Sequence, residues 1–265
     1  MYTNRQLAMK ISAVIITFNE EENIRAACES VAWADEIVVV DSESTDATPE
    51  IAASCGARVI VNKWPGFAAQ KQFATDAAAN DWVFSLDADE RVSPELRRSI
   101  EAVRRQDGVN APDGYRVARR TFYMGKWIRG GGWYPDYQLR LFNRRRGSWG
   151  DRLIHESFKL DSNALVETIS GDLLHYTVRD AAEHQRMIEQ RYAPLGAQQM
   201  FREHKRTTSL QAAVAGPSAF VRSYILKGGF RDGAAGWTIA KFAARHASLK
   251  HRLLLQLQDS KQEKM

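Results

Sequence analysis

Two aspartates separated by one residue, Asp87 and Asp89, are the strongest chemical signal in this 265-residue sequence. They directly follow residues 82–86, an apolar run typical of a buried strand. In open parallel sheets, ligands bind beyond the carboxyl ends of the strands. Two carboxylates there can hold a hard divalent cation, with phosphate oxygens of a ligand completing its coordination shell. Because an Asp-x-Asp triplet often arises by chance, its position after a strand is what supports this interpretation.

Further polar residues follow two earlier predicted strands, 11–17 and 37–40. In chain order they are Thr17, Asn19, Glu20 and Asp41. Neighbouring parallel strands would therefore deliver several carboxylates to one edge of the sheet. Asp and Glu are also common in turns and helix caps, which is the better explanation for Asp46. A turn or cap role explains Asp41 and Asp87 less well, because both directly follow apolar strands.

The elements that must position these residues alternate along the first hundred residues. Strands are predicted at 11–17, 37–40, 58–61 and 82–86, and helices at 20–31, 47–54 and 66–79. Strands separated by helices imply a parallel, doubly wound sheet, so the predicted fold class is α/β. The pattern then changes. A helix at 94–105 precedes strands at 115–119, 138–143 and 165–169, and helical segments follow at 180–204 and 216–258.

The composition is that of a globular protein with a basic C-terminal quarter. The hydrophobic and charged fractions, 44% and 26%, are ordinary, and the length suits one large domain with or without a smaller one. No run approaches the roughly 18 apolar residues that span a bilayer. The two cysteines, Cys28 and Cys55, are expected to be small buried residues in a reducing cytoplasm. The formal net charge is +5; residues 200–265, with 12 Lys/Arg and 4 Asp/Glu, carry +8, and residues 1–199 carry −3.

Three motifs in a fixed order carry a family resemblance: IITFNEE at 15–21, VDSESTDAT at 40–48 and LDADE at 86–90. Together they resemble the family 2 glycosyltransferases of the GT-A fold, which has a Rossmann-like, mostly parallel sheet flanked by helices. Shorter matches follow at 66–71, 133–136, 140–142 and 155–156. These are similar to the branch containing lipopolysaccharide-core β-glucosyltransferases. The resemblance covers roughly residues 10 to 180.

The resemblance implies a domain division and a donor site. A GT-A domain is expected at 9–178, with the donor site in about 9–106 and the acceptor and base region in about 107–178. A helical, basic region is expected at 179–265. The implied nucleotide-sugar-binding residues are Thr17, Asn19, Glu20, Asp41, Lys71 and Asp87. Asp89 would be the main protein ligand of Mg²⁺ or Mn²⁺, which neutralises charge on the departing nucleoside diphosphate. For Lys71, an ordinary surface lysine is the alternative.

The same resemblance implies a catalytic base and an acceptor wall. An inverting transferase needs a carboxylate that takes the proton of the acceptor hydroxyl. Glu156 is the predicted base, although the family usually has Glu-Asp where this chain has His-Glu; Asp151 is the runner-up, and an exposed glutamate without a role is the alternative. Trp133 and Tyr134 follow three glycines and are predicted to bind the acceptor, or else to seal the core beneath their loop. His175 lies where some relatives supply a second metal ligand, but a lone histidine is more often structural, so it is left out of the predicted ligands.

The predicted function is inverting transfer of a hexose, glucose first, from a UDP-linked donor to lipopolysaccharide core or another lipid-linked glycan. One alternative is a non-catalytic scaffold of the same fold that binds sugar or membrane. Another is a phosphatase of the haloacid-dehalogenase type, which expects its Asp-x-Asp on the first strand rather than the fourth. Nucleic acid is not an expected partner, because acid-lined strand ends repel phosphate unless a cation intervenes.

The C-terminal quarter is predicted to contact the anionic inner face of the cytoplasmic membrane. Between residues 237 and 257, apolar residues recur at near-helical spacing: Ile239, Phe242, Ala243, Leu249, Leu253 and Leu257. The intervening basic residues are Lys241, Arg245, Lys250 and Arg252. Such a helix can lie in the headgroup layer with its apolar face down. The alternative is that the leucines pack on the catalytic domain while the basic residues face solvent.

Overall fold

A computed structural model describes residues 9–105, 112–150, 157–178 and 180–262. The strands are β1 Ile11–Thr17, β2 Glu36–Asp41, β3 Arg58–Val61, β4 Trp82–Asp87, β5 Glu90–Val92, β6 Gly114–Tyr123, β7 Lys126–Trp127, β8 Asp136–Asn143, β9 Gly147–Trp149, β10 Phe158–Leu160 and β11 Val166–His175. The helices are α1 Ile24–Ser30, α2 Thr48–Ser54, α3 Phe67–Ala77, α4 Pro94–Val103, α5 Ala181–Met187, α6 Ala193–Arg202, α7 Ser209–Val221 and α8 Gly233–Gln262. Short π-helical segments, Ile188–Tyr192 and Arg222–Leu226, follow α5 and α7.

The main sheet has the strand order β3-β2-β1-β4-β8-β6-β11-β5. The first four strands are parallel, so their carboxyl ends meet at one edge, with Thr17 beside Asp41 and Ile16 beside Asp87. Strand β8 runs antiparallel to β4, and β5 runs antiparallel to β11. The predicted α/β fold, with helices flanking the sheet and a helical C-terminal region, is confirmed.

The sheet forms around β1 because every residue of that strand is buried. A continuous apolar run is typical of a parallel strand that is covered on both faces. Alternate residues of β1 enter different hydrophobic clusters: Ile11, Ala13 and Ile15 pack on one side, and Val14 and Ile16 on the other. The strand that ends at Thr17 is thereby fixed rigidly in the core.

Two compact units are distinguished by their internal contacts. The first comprises residues up to 119 together with 137–151 and 156–175, and holds nearly all of the main sheet. The second comprises 120–136, 152–155 and 176–265. The expected division at residue 178 stays a prediction.

In the second unit, α8 packs against α6 and α7. Ile239 is only 1% exposed and lies in a cluster with Tyr123, Ile128 and Ala235. The expectation that Ile239 faces lipid is therefore wrong, since burial against protein removes it from any lipid-facing surface. Phe242, Ala243, Leu249, Leu253 and Leu257 are half-buried on the same helix. Among the described residues, no helix combines the length and the apolar character needed to cross a membrane.

Candidate active site

The loops after β1 and β2 are tied together by side chains. The Ser44 hydroxyl accepts a hydrogen bond of 2.8 Å from the backbone N–H of Asn19, which has a left-handed φ of 52°. The Asn19 side-chain oxygen accepts a hydrogen bond of 2.8 Å from the backbone N–H of Thr45. The Thr48 hydroxyl accepts one of 2.8 Å from the N–H of Glu20. Helix α1 begins at Ile24, four residues later than the predicted start at residue 20.

Asp41 and Thr17 are buried side by side where β1 and β2 end. The Asp41 carboxylate accepts hydrogen bonds from the N–H and the hydroxyl of Ser44, which fixes its orientation. The Thr17 hydroxyl oxygen is buried without a hydrogen-bond partner among the described residues. A buried hydroxyl left in this way costs about 1–3 kcal/mol, and a polar ligand group would remove that cost. Both residues suit a nucleotide pocket, and their binding roles stay predictions.

Asp87 lies between two cations. Its carboxylate oxygens are 2.9 Å from the Lys71 ammonium nitrogen and 3.3 Å from a guanidinium nitrogen of Arg140. Burial alone would raise the pKa of Asp87, but the charges of Lys71 and then Arg140 outweigh it and hold that pKa well below its usual range. Asp87 is therefore an ionised acceptor of hydrogen bonds.

Lys71 lies inside the protein rather than on its surface. Its side chain is 5% exposed, and its ammonium group also lies 5.3 Å from the ring centroid of Trp149. The surface-lysine alternative is wrong, because the ion pair with Asp87 draws the side chain inward. Contact with a diphosphate stays a prediction for this residue.

Arg140 and Glu90 form the buried part of the same charge network. A guanidinium nitrogen of Arg140 is 2.5 Å from Glu90, whose side chain is fully buried. Arg119 reaches the same carboxylate at 3.5 Å. Burial lowers the pKa of Arg140, but Glu90 and then Asp87 raise it overall, so the guanidinium stays charged. Neither Arg140 nor Glu90 is among the predicted site residues; the feature that could have pointed to Arg140 is a charged residue within the apolar run LRLF at 139–142.

Asp89 is paired with His175. Strands β5 and β11 set Glu90 opposite His175, which brings the imidazole Nε2 to 3.2 Å from an Asp89 carboxylate oxygen. Both side chains are partly exposed, at 23% for Asp89 and 16% for His175. Ligand atoms at about 2.1 Å from one ion at right angles are about 3 Å apart, so this pair fits a shared Mg²⁺ or Mn²⁺. No group of three or more His, Cys, Asp or Glu suited to a metal occurs within the described part of the chain.

The predicted acceptor residues lie in the second unit. The Trp133 ring packs against Tyr123 and His184, at centroid distances of 5.4 and 5.8 Å. The Arg120 guanidinium lies 5.7 Å from the Tyr134 ring centroid. Both aromatic residues are half-buried, so core packing explains much of Trp133, while acceptor binding stays a prediction for both. Glu156 and Asp151, the candidate bases, lie outside the described residues, as does His155.

Comparison with known proteins identifies the family. The model of the family described as glycosyl transferase family 2 matches residues 12–158, more than half of the chain. The chain belongs to glycosyltransferase family 2.

Several individual proteins are similar to this family 2 chain. A lipopolysaccharide core biosynthesis glycosyltransferase, LpsC of Rhizobium meliloti (strain 1021), is 32% identical over 91% of this chain and 90% of the relative. An uncharacterized glycosyltransferase of Rickettsia bellii (strain RML369-C) is 36% identical over 67% of this chain, which spans only 60% of that relative. Among solved structures, glucosyl-3-phosphoglycerate synthase from Mycobacterium tuberculosis, in complex with Mn²⁺, UDP-glucose and phosphoglyceric acid, is 25% identical. That match covers 42% of this chain and 44% of the other, with a TM-score of 0.36.

Family membership confirms the prediction of a glycosyltransferase with a GT-A-type domain, and it removes the phosphatase alternative. The main catalytic-domain motifs all fall within the matched residues 12–158, whereas His175 lies beyond them.

Proposed function

We propose that this chain is an inverting, metal-dependent hexosyltransferase. It transfers glucose from UDP-glucose to lipopolysaccharide core or another lipid-linked glycan, at the inner face of the cytoplasmic membrane. The observation that carries this proposal is the ionised Asp87, held by Lys71 and Arg140, two residues before the Asp89–His175 pair. The resemblance to lipopolysaccharide-core β-glucosyltransferases supports the choice of sugar and donor. The name of the relative from Rhizobium meliloti supports the choice of acceptor.

Asp89 and His175 would hold the divalent cation. When bound, Mg²⁺ or Mn²⁺ neutralises the negative charge that develops on the departing nucleoside diphosphate. The two side chains supply one carboxylate oxygen and one imidazole nitrogen. Borderline ions such as Mn²⁺ accept this mixed donor set more readily than Mg²⁺, which prefers oxygen ligands.

The remaining donor-site residues bind and orient the nucleotide. Asp41 accepts hydrogen bonds from the base, and its bonds from Ser44 fix its direction before the donor arrives. Asp87 accepts from the ribose or lies beside the neighbouring phosphate. Lys71 and Arg140 keep it ionised and bring positive charge close to the diphosphate. Preorganised charges of this kind lower the barrier because they do not reorient during the reaction.

Glu156 takes the proton of the acceptor hydroxyl while that oxygen attacks the anomeric carbon. The proton moves to the carboxylate, and the bond to the diphosphate breaks on the opposite face of the sugar. This is the step that a non-catalytic scaffold lacks, so turnover separates the two functions.

A panel of nucleotide sugars tests the proposal. Purified protein is incubated with each donor and with Mn²⁺, Mg²⁺ or chelator, and release of nucleoside diphosphate is measured with and without a lipopolysaccharide-core acceptor. We expect metal-dependent release that is fastest with UDP-glucose. Binding of UDP-glucose without release under any condition would instead establish the scaffold.

Asp89→Ala tests the metal site in the same assay. We expect it to abolish release of nucleoside diphosphate while circular dichroism shows an intact fold. The physical reason is the loss of the carboxylate ligand, which weakens metal binding. Asp76→Ala removes an exposed carboxylate from α3 and serves as the control with normal activity. Near-normal rates for Asp89→Ala under limiting metal would contradict the assignment.

A further inference from the structure

The outward face of α7 is apolar although it is exposed. Residues 209–221 contain no charged side chain. Leu210, Val214 and Val221 lie four and seven residues apart, which places them on one face of the helix, and all three are exposed. The opposite face carries Ala212 and Gly216, which are buried. A helix that is apolar on both faces is normally covered on both.

The exposed apolar surface continues beyond the end of α7. Ile225 and Leu226 in the π-helical segment are exposed, as are Phe230 and, on α8, Trp237. Trp237 meets Tyr224 edge-on at a centroid distance of 5.2 Å, which links α8 to this segment. We call the following residues the apolar stripe: Leu210, Val214, Val221, Ile225, Leu226, Phe230 and Trp237. Single exposed apolar residues are common, whereas a contiguous set marks an interaction surface.

Basic residues flank the apolar stripe at both ends of α7. The exposed ones before the helix are Arg202, Lys205 and Arg206, and those after it are Arg222, Lys227 and Arg231. Between residues 202 and 232 there are only two acidic residues, Glu203 and Asp232, and Asp232 is buried. Positive charge therefore precedes the apolar stripe at one end of α7 and alternates with its later members beyond the other end.

We propose that the apolar stripe lies in the headgroup layer of an anionic phospholipid bilayer, with α7 parallel to the membrane plane. Amphipathic surfaces of this kind bury apolar side chains at the acyl boundary while basic residues contact lipid phosphates. The exposed Trp237 has the amphipathic ring that is enriched at membrane interfaces. This rests on the proposed function, which sets the reaction at a membrane, and it places membrane contact on α7, the segment after it and Trp237 near the start of α8 rather than along the rest of α8.

Charge complementarity favours a lipid surface over a second copy of the chain. Pairing two copies through α7, parallel or antiparallel, would set basic flanks against basic flanks. Like charges facing each other across an interface are destabilising. A uniformly anionic plane meets both flanks favourably.

Flotation with vesicles tests the proposal on the full chain. Vesicles of phosphatidylcholine with phosphatidylglycerol are compared with vesicles of phosphatidylcholine alone, at low and high salt. The main variant combines Leu210→Gln with Leu226→Gln, at positions that are 72% and 75% exposed. Leu165→Gln, at an exposed leucine in the first unit, is the matched control. A second variant combines Arg222→Gln, Lys227→Gln and Arg231→Gln.

We expect the wild type and Leu165→Gln to float with the anionic vesicles at low salt. The double leucine variant should bind about tenfold or more weakly, because it loses buried apolar area. The triple basic variant should show a weaker preference for anionic lipid and a weaker sensitivity to salt, since three of the six flanking basic residues are gone. Circular dichroism checks that the variants are folded.

The proposal is overturned if the wild type does not float with anionic vesicles, or if the double leucine variant floats equally well. A wild type that does not float but is a dimer by sedimentation velocity, with a monomeric double leucine variant, would make the stripe a contact between copies and would also overturn it. Metal-dependent release of nucleoside diphosphate is measured without vesicles on every variant. Absence of that release bears on the proposed function, whereas loss of flotation with normal release bears only on the stripe.

Discussion

The imidazole of His175, 3.2 Å from the Asp89 carboxylate, makes a measurable contribution to metal binding if both side chains hold one ion. We expect His175→Gln to raise the Mn²⁺ concentration for half-maximal activity about tenfold or more, because the site loses a nitrogen ligand. Direct Mn²⁺ binding, followed by electron paramagnetic resonance in the presence of UDP, should weaken in parallel. His204→Asn is the control, since His204 is exposed and its left-handed φ of 55° suits asparagine. An unchanged Mn²⁺ affinity in His175→Gln would leave His175 as a structural partner of Asp89.

Glu156→Gln tests the base of the proposed reaction. The amide has nearly the shape of the carboxylate but cannot take up a proton, so donor binding should persist while turnover falls. Loss of general-base catalysis typically costs about a hundredfold to ten-thousandfold. UDP-glucose affinity by calorimetry and single-turnover rates of transfer measure the two effects separately. Asp151→Asn is the matched variant, and the base is reassigned if it alone shows this phenotype.

At the scale of elements, Arg140 joins β8 to the ends of β4 and β5. Replacing it with methionine leaves the buried Glu90 with the more distant Arg119 as its nearest described cation, beside the hydrogen bond from the Asp87 N–H. Breaking a buried ion pair by removing one member costs about 3–5 kcal/mol, so Arg140→Met should lower the free energy of unfolding by roughly that amount. Urea unfolding at neutral pH measures it.

Arg97→Met is the control for that experiment, because its pair with Glu101 lies on the surface of α4. We expect it to change the free energy of unfolding by about 0.5 kcal/mol or less. Equal effects of the two substitutions would mean that the Arg140–Glu90 pair contributes no more than a surface pair.

His184, on α5, is expected to make the stability of the protein depend on pH. Its Nδ1 is 3.0 Å from the Tyr123 hydroxyl and its ring meets Phe242 at 4.5 Å. Burial, helped by the charge of His246, lowers the pKa of His184 to about 4, from an ordinary value of 6.5. The folded state therefore disfavours the proton that the unfolded chain binds below pH 6.5. Stability falls as the pH drops from 6.5 to about 4, by about 3 kcal/mol in total for this residue.

His184→Gln should remove most of that slope. The free energy of unfolding in urea is measured from pH 7 to pH 4, and the difference between wild type and variant isolates this histidine. His204→Asn should follow the wild type. If His184→Gln also follows the wild type throughout, then burial does not depress the pKa of His184 as described.

The sequence predicted strands that coincide with apolar, β-branched runs better than a strand without such a run. Strands β1 and β3 begin and end where their apolar runs do. Strand β5 was missed because three residues carry no periodic pattern, and its pairing partner β11 lies about eighty residues further along the chain. The carboxylates Asp41, Asp87 and Asp89 were found because they follow apolar strands. Arg140, a cationic partner of Asp87, was not predicted, since its place beside Asp87 depends on the register between β4 and β8, which no local pattern encodes.

At the scale of the whole molecule, the two units are built from different parts of the chain. The second unit takes residues 120–136 from the middle of the chain together with the C-terminal helices. Within this unit, Asp232 links the C-terminal helices to the middle segment, because its carboxylate accepts hydrogen bonds from the backbone N–H groups of Arg129 and Gly130. A side chain at Gly130 would lie 2.4 Å from the Gly228 carbonyl oxygen, so glycine permits this close approach. Contacts of this kind join residues a hundred positions apart, beyond the reach of composition and periodicity.

The pairing of β5 with β11 has a consequence for how the protein is made. A ribosome delivers Asp87, Asp89 and Glu90 early, but Arg140 follows fifty residues after Glu90 and His175 is later still. Until then Glu90 lacks the cation that stabilises it in a buried position, and Asp89 lacks the imidazole. The growing chain is thus expected to expose an unfinished sheet edge that chaperones can bind, and to bring together Asp89 and His175, the proposed metal ligands, only after translation has passed residue 175.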